Sequence, residues 1–393
     1  MKKKILFVIP SLRSGGAEKS LVSLLSLFDY EKYEVDLLSF RRDGLFWDSL
    51  PAEINSIYDT TDYEMFDGSI KKSLPYFVKR FNVSALIDLI RYRKAFKEKD
   101  ADIRELKAWY FLKKRLPKVK KEYDCAIAYL EGNSCDFVAD CVNAKKKILY
   151  IHNDLKKLPC DKTFYNRFLK NADKIVTVSD VCLESLKSEF PAYEKKCFKI
   201  ENIVSRKIIC NCVQDDVYER NGKTVLLTVG RCSEQKNIEL AVRTCKELKN
   251  RNIDVQWYHI GKGSLFESVK NYAKELGVEN EFIMLGEKSN PYPYMAQCDI
   301  YVQPSRFEGK SIAIDEVKCL CKPIVVTNFP SVTDQITDGV NGIICEMNEK
   351  DMADKLEMLI DDSEFRDKLS NQLKSENIGN ESEIQKLYEL IEK

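Results

Sequence analysis

The sequence predicts an α/β protein made of two Rossmann-like doubly wound domains, and three observations carry that expectation. A chain of 393 residues with 44% hydrophobic content exceeds what one core ordinarily serves, because single domains stop growing near about 250–300 residues. From residue 4 onward, short apolar runs alternate with glycine turns and helically spaced apolar residues, the pattern of a parallel sheet covered on both faces. The alternation lapses in a polar stretch around Asn211–Asn221 and then begins again, which places the hinge between about residues 200 and 220.

In the first half, the run Lys4–Ile9 reads as a strand, Gly15 and Gly16 as a turn, and Leu21, Leu24, Leu25 and Phe28 as the apolar face of a helix. Further strands are expected at Glu34–Ser39, Cys125–Leu130, Lys147–Ile151 and Lys174–Val178. In the second half they fall at Thr224–Val229, Val255–Ile260, Phe282–Leu285, Ile300–Gln303, Ile324–Thr327 and Gly342–Cys345. The expected division is an N-terminal domain over 1–205, a C-terminal domain over 206–377, and a terminal helix over 378–393. That helix would pack back on the first domain through Ile384, Leu387, Leu390 and Ile391.

A basic helical insertion, about 71–121, breaks the first half between its second and third expected strands. Its net charge is about +12, and Tyr76, Phe77, Phe81, Phe96, Trp109, Tyr110, Phe111 and Leu112 are interleaved with the cations. Basic amphipathic helices can lie on an anionic membrane face, so the cytoplasmic membrane surface is the expected partner. The plain alternative is a set of solvated helices packed on the sheet.

The formal charge of +1, from 63 Lys+Arg against 62 Asp+Glu, lacks the basic excess of a dedicated nucleic-acid binder. The apolar run before Pro10 is too short for a signal peptide, and no run approaches the ~18 apolar residues of a membrane span. The expected location is cytoplasmic, peripheral on the inner face of the cell membrane. Fourteen cysteines lie scattered through apolar segments without paired metal spacing, and with two histidines in the chain no metal and no cofactor is expected.

Chemistry concentrates on turns that follow strands. Arg306–Glu316 lies on a strand-to-helix turn in which Gly309 permits close backbone approach and Ser311 is the expected N-cap. First-turn amides at such a place can hold an anion. Glu308 precedes the helix and Glu316 lies inside it, so the two carboxylates can address different ends of one ligand. Arg231 and Lys236 share the turn after Gly230 and can converge on a diphosphate. His152 directly follows the strand Lys147–Ile151, whereas His259, within an apolar strand, reads as a satisfied interior residue.

Together, Glu308 and Glu316, the Gly230-Arg231…Lys236 turn, Gly15-Gly16-Ala17-Glu18 and Asn290-Pro-Tyr-Pro-Tyr294 resemble retaining glycosyltransferases of family four. The resemblance runs over nearly the whole chain and is densest from Gly230 to Glu346. It implies the GT-B architecture, two Rossmann-like domains facing across a cleft. It also implies that Glu308 lies by the hydroxyls of the donor sugar, that Glu316 holds the ribose, and that Arg231 and Lys236 grip the diphosphate. Backbone from Gly309 through Lys310 and Ser311 to Ile312 would add amide donors, Gly286 would lie near the base, and His152 would face the sugar. Gly15 and Gly16 would border the donor. The chain departs from the common Glu-Gly-Phe-Gly pattern at Lys310, which puts the sugar preference outside any carry-over.

The implied reaction is transfer of a hexose from a nucleotide diphosphate sugar, expected to be UDP-linked, with retained configuration. Its acceptor would be a glycan or polyprenyl-linked saccharide in cell-surface polysaccharide synthesis. Two alternatives stand beside it: a nucleotide-sugar epimerase of the same architecture, and a non-catalytic, membrane-associated glycan-binding subunit.

Overall fold

The computed structural model describes residues 2–13, 15–42, 44–57, 60–99, 101–153, 162–213, 216–218, 222–376 and 378–393. Ser14, in the first glycine turn, lies outside them. The chain forms two compact units, Met1–Ile203 with Ser382–Lys393, and Val204–Glu381.

Unit one runs β1 (Lys3–Ile9), α1 (Gly16–Ser26), β2 (Tyr33–Ser39), β3 (Ser56–Ile57), α2 (Thr61–Asp67), α3 (Ile70–Lys79), α4 (Val83–Ala95), α5 (Ala101–Leu112), β4 (Cys125–Ala128), α6 (Asn133–Cys141), β5 (Lys147–Ile151), α7 (Lys162–Leu169), β6 (Lys174–Thr177), α8 (Asp180–Glu189) and β7 (Cys197–Lys199). Unit two continues with α9 (Arg206–Asn211), β8 (Thr224–Val229), α10 (Ile238–Asn250), β9 (Val255–Ile260), α11 (Phe266–Glu275), β10 (Phe282–Gly286), α12 (Tyr292–Gln297), β11 (Ile300–Gln303), α13 (Ile312–Cys319), β12 (Ile324–Thr327), β13 (Ile343–Cys345), α14 (Glu349–Asp361) and α15 (Ser363–Ser375). Then α16 (Glu383–Glu392) rejoins unit one.

Both sheets are wholly parallel. Their orders are β3-β2-β1-β4-β5-β6-β7 and β10-β9-β8-β11-β12-β13. In each, the first strand of the unit sits centrally and chain order reverses beside it, between β1 and β4 and between β8 and β11. In doubly wound sheets, ligands bind outside the carboxyl ends of the strands at such reversals. Burial on both faces explains why the strands read as continuous apolar runs: Ile5–Ile9, Leu226–Leu227 and Ile300–Val302 are fully buried.

One face of the first sheet is covered by α1 and α16. Leu387 and Ile391 join Phe7, Phe28 and Val35 in one core, Tyr388 stacks on Tyr33 at 5.2 Å, and Lys146 donates to the carbonyls of Leu390 and Ile391. The lysine therefore satisfies carbonyls that the helix end would leave unpaired.

The insertion begins earlier than its charge suggests, at α2, after the two-residue strand β3. Phe77, Trp109 and Leu112, counted above among the interleaved apolar residues, are buried in the core of unit one, so they are packing residues rather than surface ones. No helix among the described residues is long and apolar enough to cross a membrane. The thirteen described cysteines are free thiols, ten of them buried.

Candidate functional site

The carboxyl edge of the second sheet gathers the strongest cluster. Three neighbouring strands, β8, β9 and β10, end at Gly230, Gly261 and Gly286, stepped so that Gly230 N donates to Ile260 O at 2.9 Å and Gly261 N to Gly286 O at 2.8 Å. Gly261 has φ +142°, and a Cβ there would lie 2.0 Å from Gly230 O, so only glycine lets the two turns nest. His259, beneath them, donates Nε2–H to Gly230 O at 2.9 Å, with Cys232 Sγ 3.8 Å from its ring. Burial pushes the His259 pKa down to about 4, so the ring is neutral and serves as a strut for the Gly230 turn.

From that turn Lys236 extends across Gly230, and its Nζ meets Glu308 Oε1 at 2.5 Å. Glu308 Oε1 also accepts from Gln303 Nε2 (2.9 Å) and Ser305 Oγ (2.6 Å), and Oε2 accepts from Gln235 Nε2 (3.2 Å). The carboxylate is thus saturated by one cation and three neutral donors. Gln303 is itself fixed by Tyr301, whose hydroxyl donates to Gln303 Oε1 at 2.7 Å. Burial and the charges of Glu316 and Glu308 hold the Tyr301 hydroxyl far above the usual tyrosine pKa, which keeps it a donor. Gln235 laces two turns together: its carbonyl takes Arg306 N–H, and its amide also reaches Phe307 O.

Glu316, buried on α13, accepts from Tyr292 Oη at 3.1 Å. Ser311 stands at the N-cap position of α13, but its side chain does not cap; Oγ is buried without a hydrogen-bond partner. Gln335 brackets the backbone there, accepting from Ser311 N at 2.8 Å and donating to Ser311 O at 2.9 Å and Asp315 Oδ1 at 2.8 Å. One of the amides expected to face an anion is therefore already engaged. Lys310 Nζ stands 3.9 Å from Asp315 Oδ2, Ile312 is half-buried, and space around Gly309 is open, with no atom within 4 Å of a Cβ placed there. Arg231 is exposed and has no ion-pair partner among the described residues, so the structure joins Lys236, but not Arg231, to the Glu308 cluster. Gly286 has φ +71°, and a Cβ placed on it would lie 3.4 Å from Lys262 Cε.

The remaining candidates lie in unit one, at the carboxyl edge of its own sheet. Gly15 is the N-cap of α1, and a Cβ on it would fall 1.9 Å from Glu18 Oε2, because that carboxylate folds back over the helix start. Gly16 is exposed at the first position of α1. His152 follows β5, donates its backbone N–H to Glu131 Oε2 at 2.9 Å, and stacks on Tyr150 at 5.8 Å. Its Nε2 is buried without a partner. Burial lowers the His152 pKa, opposed by the Glu131 charge and a backbone hydrogen bond with Tyr129, so the neutral ring is favoured. Asp154 lies outside the described residues.

Sequence reasoning passed over Gln235, Gln303, Gln335, Gly261 and His259's supporting role. Gly261-Lys-Gly263 after an apolar strand was the available signal for one of them. The glutamines offer none, because a neutral amide declares a role only once its partner is known.

Residues 214–376, within the second unit, match the family described as glycosyl transferases group 1. Over 95% of its length the chain is 26% identical to 94% of a Campylobacter jejuni N-acetylgalactosamine-N,N'-diacetylbacillosaminyl-diphospho-undecaprenol 4-alpha-N-acetylgalactosaminyltransferase. A second Campylobacter jejuni protein, a GalNAc-alpha-(1->4)-GalNAc-alpha-(1->3)-diNAcBac-PP-undecaprenol alpha-1,4-N-acetyl-D-galactosaminyltransferase, is 25% identical, with 94% and 92% of the two chains covered. Among solved structures, Anabaena HepE in complex with UDP and glucose superposes with a TM-score of 0.70 at 15% identity, over 99% of each chain. WaaG, a glycosyltransferase of lipopolysaccharide biosynthesis, gives 0.65 at 11% identity, over 98% of this chain and 99% of WaaG. The two parallel-sheet units are those of the GT-B architecture.

Proposed function

We propose that this protein transfers a sugar from a nucleotide diphosphate donor, UDP-linked, to a polyprenyl-diphosphate-linked saccharide, with retained anomeric configuration. The observation that carries the reading is the Lys236–Glu308 pair, set at the carboxyl ends of β8 and β11 where chain order reverses. The acceptor class is supported by the two full-length relatives, whose names specify undecaprenol-linked substrates and N-acetylgalactosamine as the sugar moved.

The difficult step is departure of the diphosphate. Glu308 holds Lys236, so the ammonium is already placed on the turn where the phosphate would arrive, and little ordering remains to be done. Arg231, exposed on the same turn, supplies a second cation. Glu308, still anchored by Gln303 and Ser305, can then accept from sugar hydroxyls, and Glu316 from the ribose. Unpartnered Ser311 Oγ and the exposed backbone at Gly309 add polar contacts for the donor. His152, with its free Nε2, is the first unit's candidate contact to the transferring sugar. Two cations and a helix start offset the charge on the leaving group, so the reaction is assigned no metal.

The test is a panel of UDP-hexoses and UDP-N-acetylhexosamines incubated with a polyprenyl-diphosphate saccharide, with the product linkage read by NMR. An elongated saccharide with the donor's anomeric configuration is expected. An epimerised sugar nucleotide formed without acceptor would replace the proposal by the epimerase reading, and absence of both nucleotide binding and turnover would leave a non-catalytic glycan-binding subunit.

A further inference from the structure

Eleven of the sixteen strongly exposed large hydrophobic residues among the described residues fall between Ile70 and Tyr110, on α3, α4 and α5 and their connections, so the exposed apolar surface of the chain is concentrated there. Its spacing is helical. Ile70, Leu74 and Val78 are four apart on α3, and Val83, Ile87 and Ile90 follow at i, i+4 and i+7 on α4, each set forming one stripe. On α4 the opposite face, through Ala85, Leu89 and Tyr92, is buried in the core of unit one, so that helix has two apolar faces of which packing uses one. On α3 the buried Phe77 lies at the edge of the stripe, seven residues from Ile70, and Ile70, Leu74 and Val78 stay exposed beside it.

The two stripes meet at a corner whose geometry is costly. Phe81 joins α3 to α4 with φ +50° and is 90% exposed. Asn82 N–H returns to Phe77 O at 3.1 Å, a helix ending of the kind that glycine ordinarily completes, and Asn82 then caps α4 by accepting from Ala85 N at 3.0 Å. A bulky aromatic in left-handed backbone is a true outlier, and nothing in the fold covers its ring. Strain and exposure at one residue point to a use outside the folded chain.

Charge identifies the occupant. Lys71, Lys72, Lys79, Arg91, Lys94 and Lys97 are exposed on α3, α4 and the segment after them, with no ion-pair partner among the described residues. Asp88 is the only acid in residues 68–97, and it is buried and paired with Arg115 at 2.7 Å. A second copy of this face would oppose cation to cation. An anionic lipid surface would take both the apolar stripes and the charge around them. We infer that α3 and α4, with Phe81 at their corner, form a membrane-docking face that inserts its apolar stripes among the acyl chains of an anionic bilayer while the lysines and arginines sit at the headgroups. This deepens the lipid-linked acceptor proposed above, but it rests on the surface alone.

The experiment is vesicle co-sedimentation of the full chain with phosphatidylcholine alone and with about a third phosphatidylglycerol, without donor or acceptor. Binding is expected on anionic vesicles only, weakened by salt. Phe81→Asn is the informative variant, because asparagine tolerates the left-handed backbone: melting temperature should hold or rise while partitioning falls at least tenfold. Replacing Lys71 and Lys72 by glutamine should weaken binding about fivefold for each charge removed. Failure of the wild type to bind anionic vesicles, equal binding by Phe81→Asn, or a concentration-dependent dimer in sedimentation velocity that Phe81→Asn dissolves would each overturn the inference. Vesicles without substrate separate this outcome from the transferase proposal, which a soluble acceptor analogue tests by itself.

Discussion

Replacing Lys236 by methionine removes the cation from Glu308 while keeping the length of the side chain. Breaking a fully buried pair costs about 3–5 kcal/mol, because a charge is left stranded. Here the lysine side chain is 20% exposed and the glutamate 6%, and Gln303, Ser305 and Gln235 still donate to the carboxylate. The expected loss of stability is therefore about 1–2 kcal/mol, readable as a shift in urea midpoint at unchanged slope. The expected loss of kcat/KM is larger, about 10²–10³-fold, since the ammonium is assigned to the departing diphosphate. The double variant Lys236→Met with Glu308→Gln separates the two effects. Removing the stranded charge should recover most of the lost stability, a coupling of about 1–2 kcal/mol, and should recover no activity. Refutation would be a single variant within fivefold of wild-type turnover, or a double variant that regains it, since either result makes the pair structural.

Three further outcomes follow from the geometry. His259 titrates near 4 in the fold and near 6.5 when unfolded, so its contribution is complete above about pH 6.5 and is lost as pH falls toward 4, by about 3 kcal/mol in all; His259→Gln should flatten that part of the stability profile, and an unchanged profile contradicts the assignment. Gly261→Ala puts a Cβ 2.0 Å from Gly230 O and should cost more than about 2 kcal/mol while raising KM for the donor, whereas normal stability and KM would show that the turns can separate. Leu387→Ala, in the core beneath α16, should cost about 2–4 kcal/mol in chemical denaturation, and a cost under about 1 kcal/mol would mean that α16 is a dispensable tail.

What could be read from the chain follows from what its signals encode. In the second sheet β8, β11 and β12 stand out because burial on both faces writes them as nearly unbroken apolar runs; the two residues of β3 and the Cys-Phe-Lys of β7 make no such run. The insertion was visible as charge, but charge does not say which aromatics turn inward, so Phe77 and Trp109 were grouped with Phe81 although the fold buries the first two. At the site, Glu308 and Lys236 were legible as charged residues on strand-end turns, and Glu316 as an acid inside the helix that follows one. Their supports were not: Gln335 reaches Ser311 across 24 positions, and Gln303 looked like the end of an apolar strand. Ser311 does stand at the N-cap of α13, but its hydroxyl makes no capping hydrogen bond, and the distant Gln335 holds the residue's own backbone N–H and C=O.

The proposed grip of Lys236 on a nucleoside diphosphate at the carboxyl edge of β8 and β11 can be read by titration calorimetry of UDP, GDP and ADP into the wild-type protein and into Lys236→Met. Selective, exothermic binding of UDP is expected, weakened at least tenfold in the variant; equal affinity in both proteins, or no heat from any of the three nucleotides, would remove that grip.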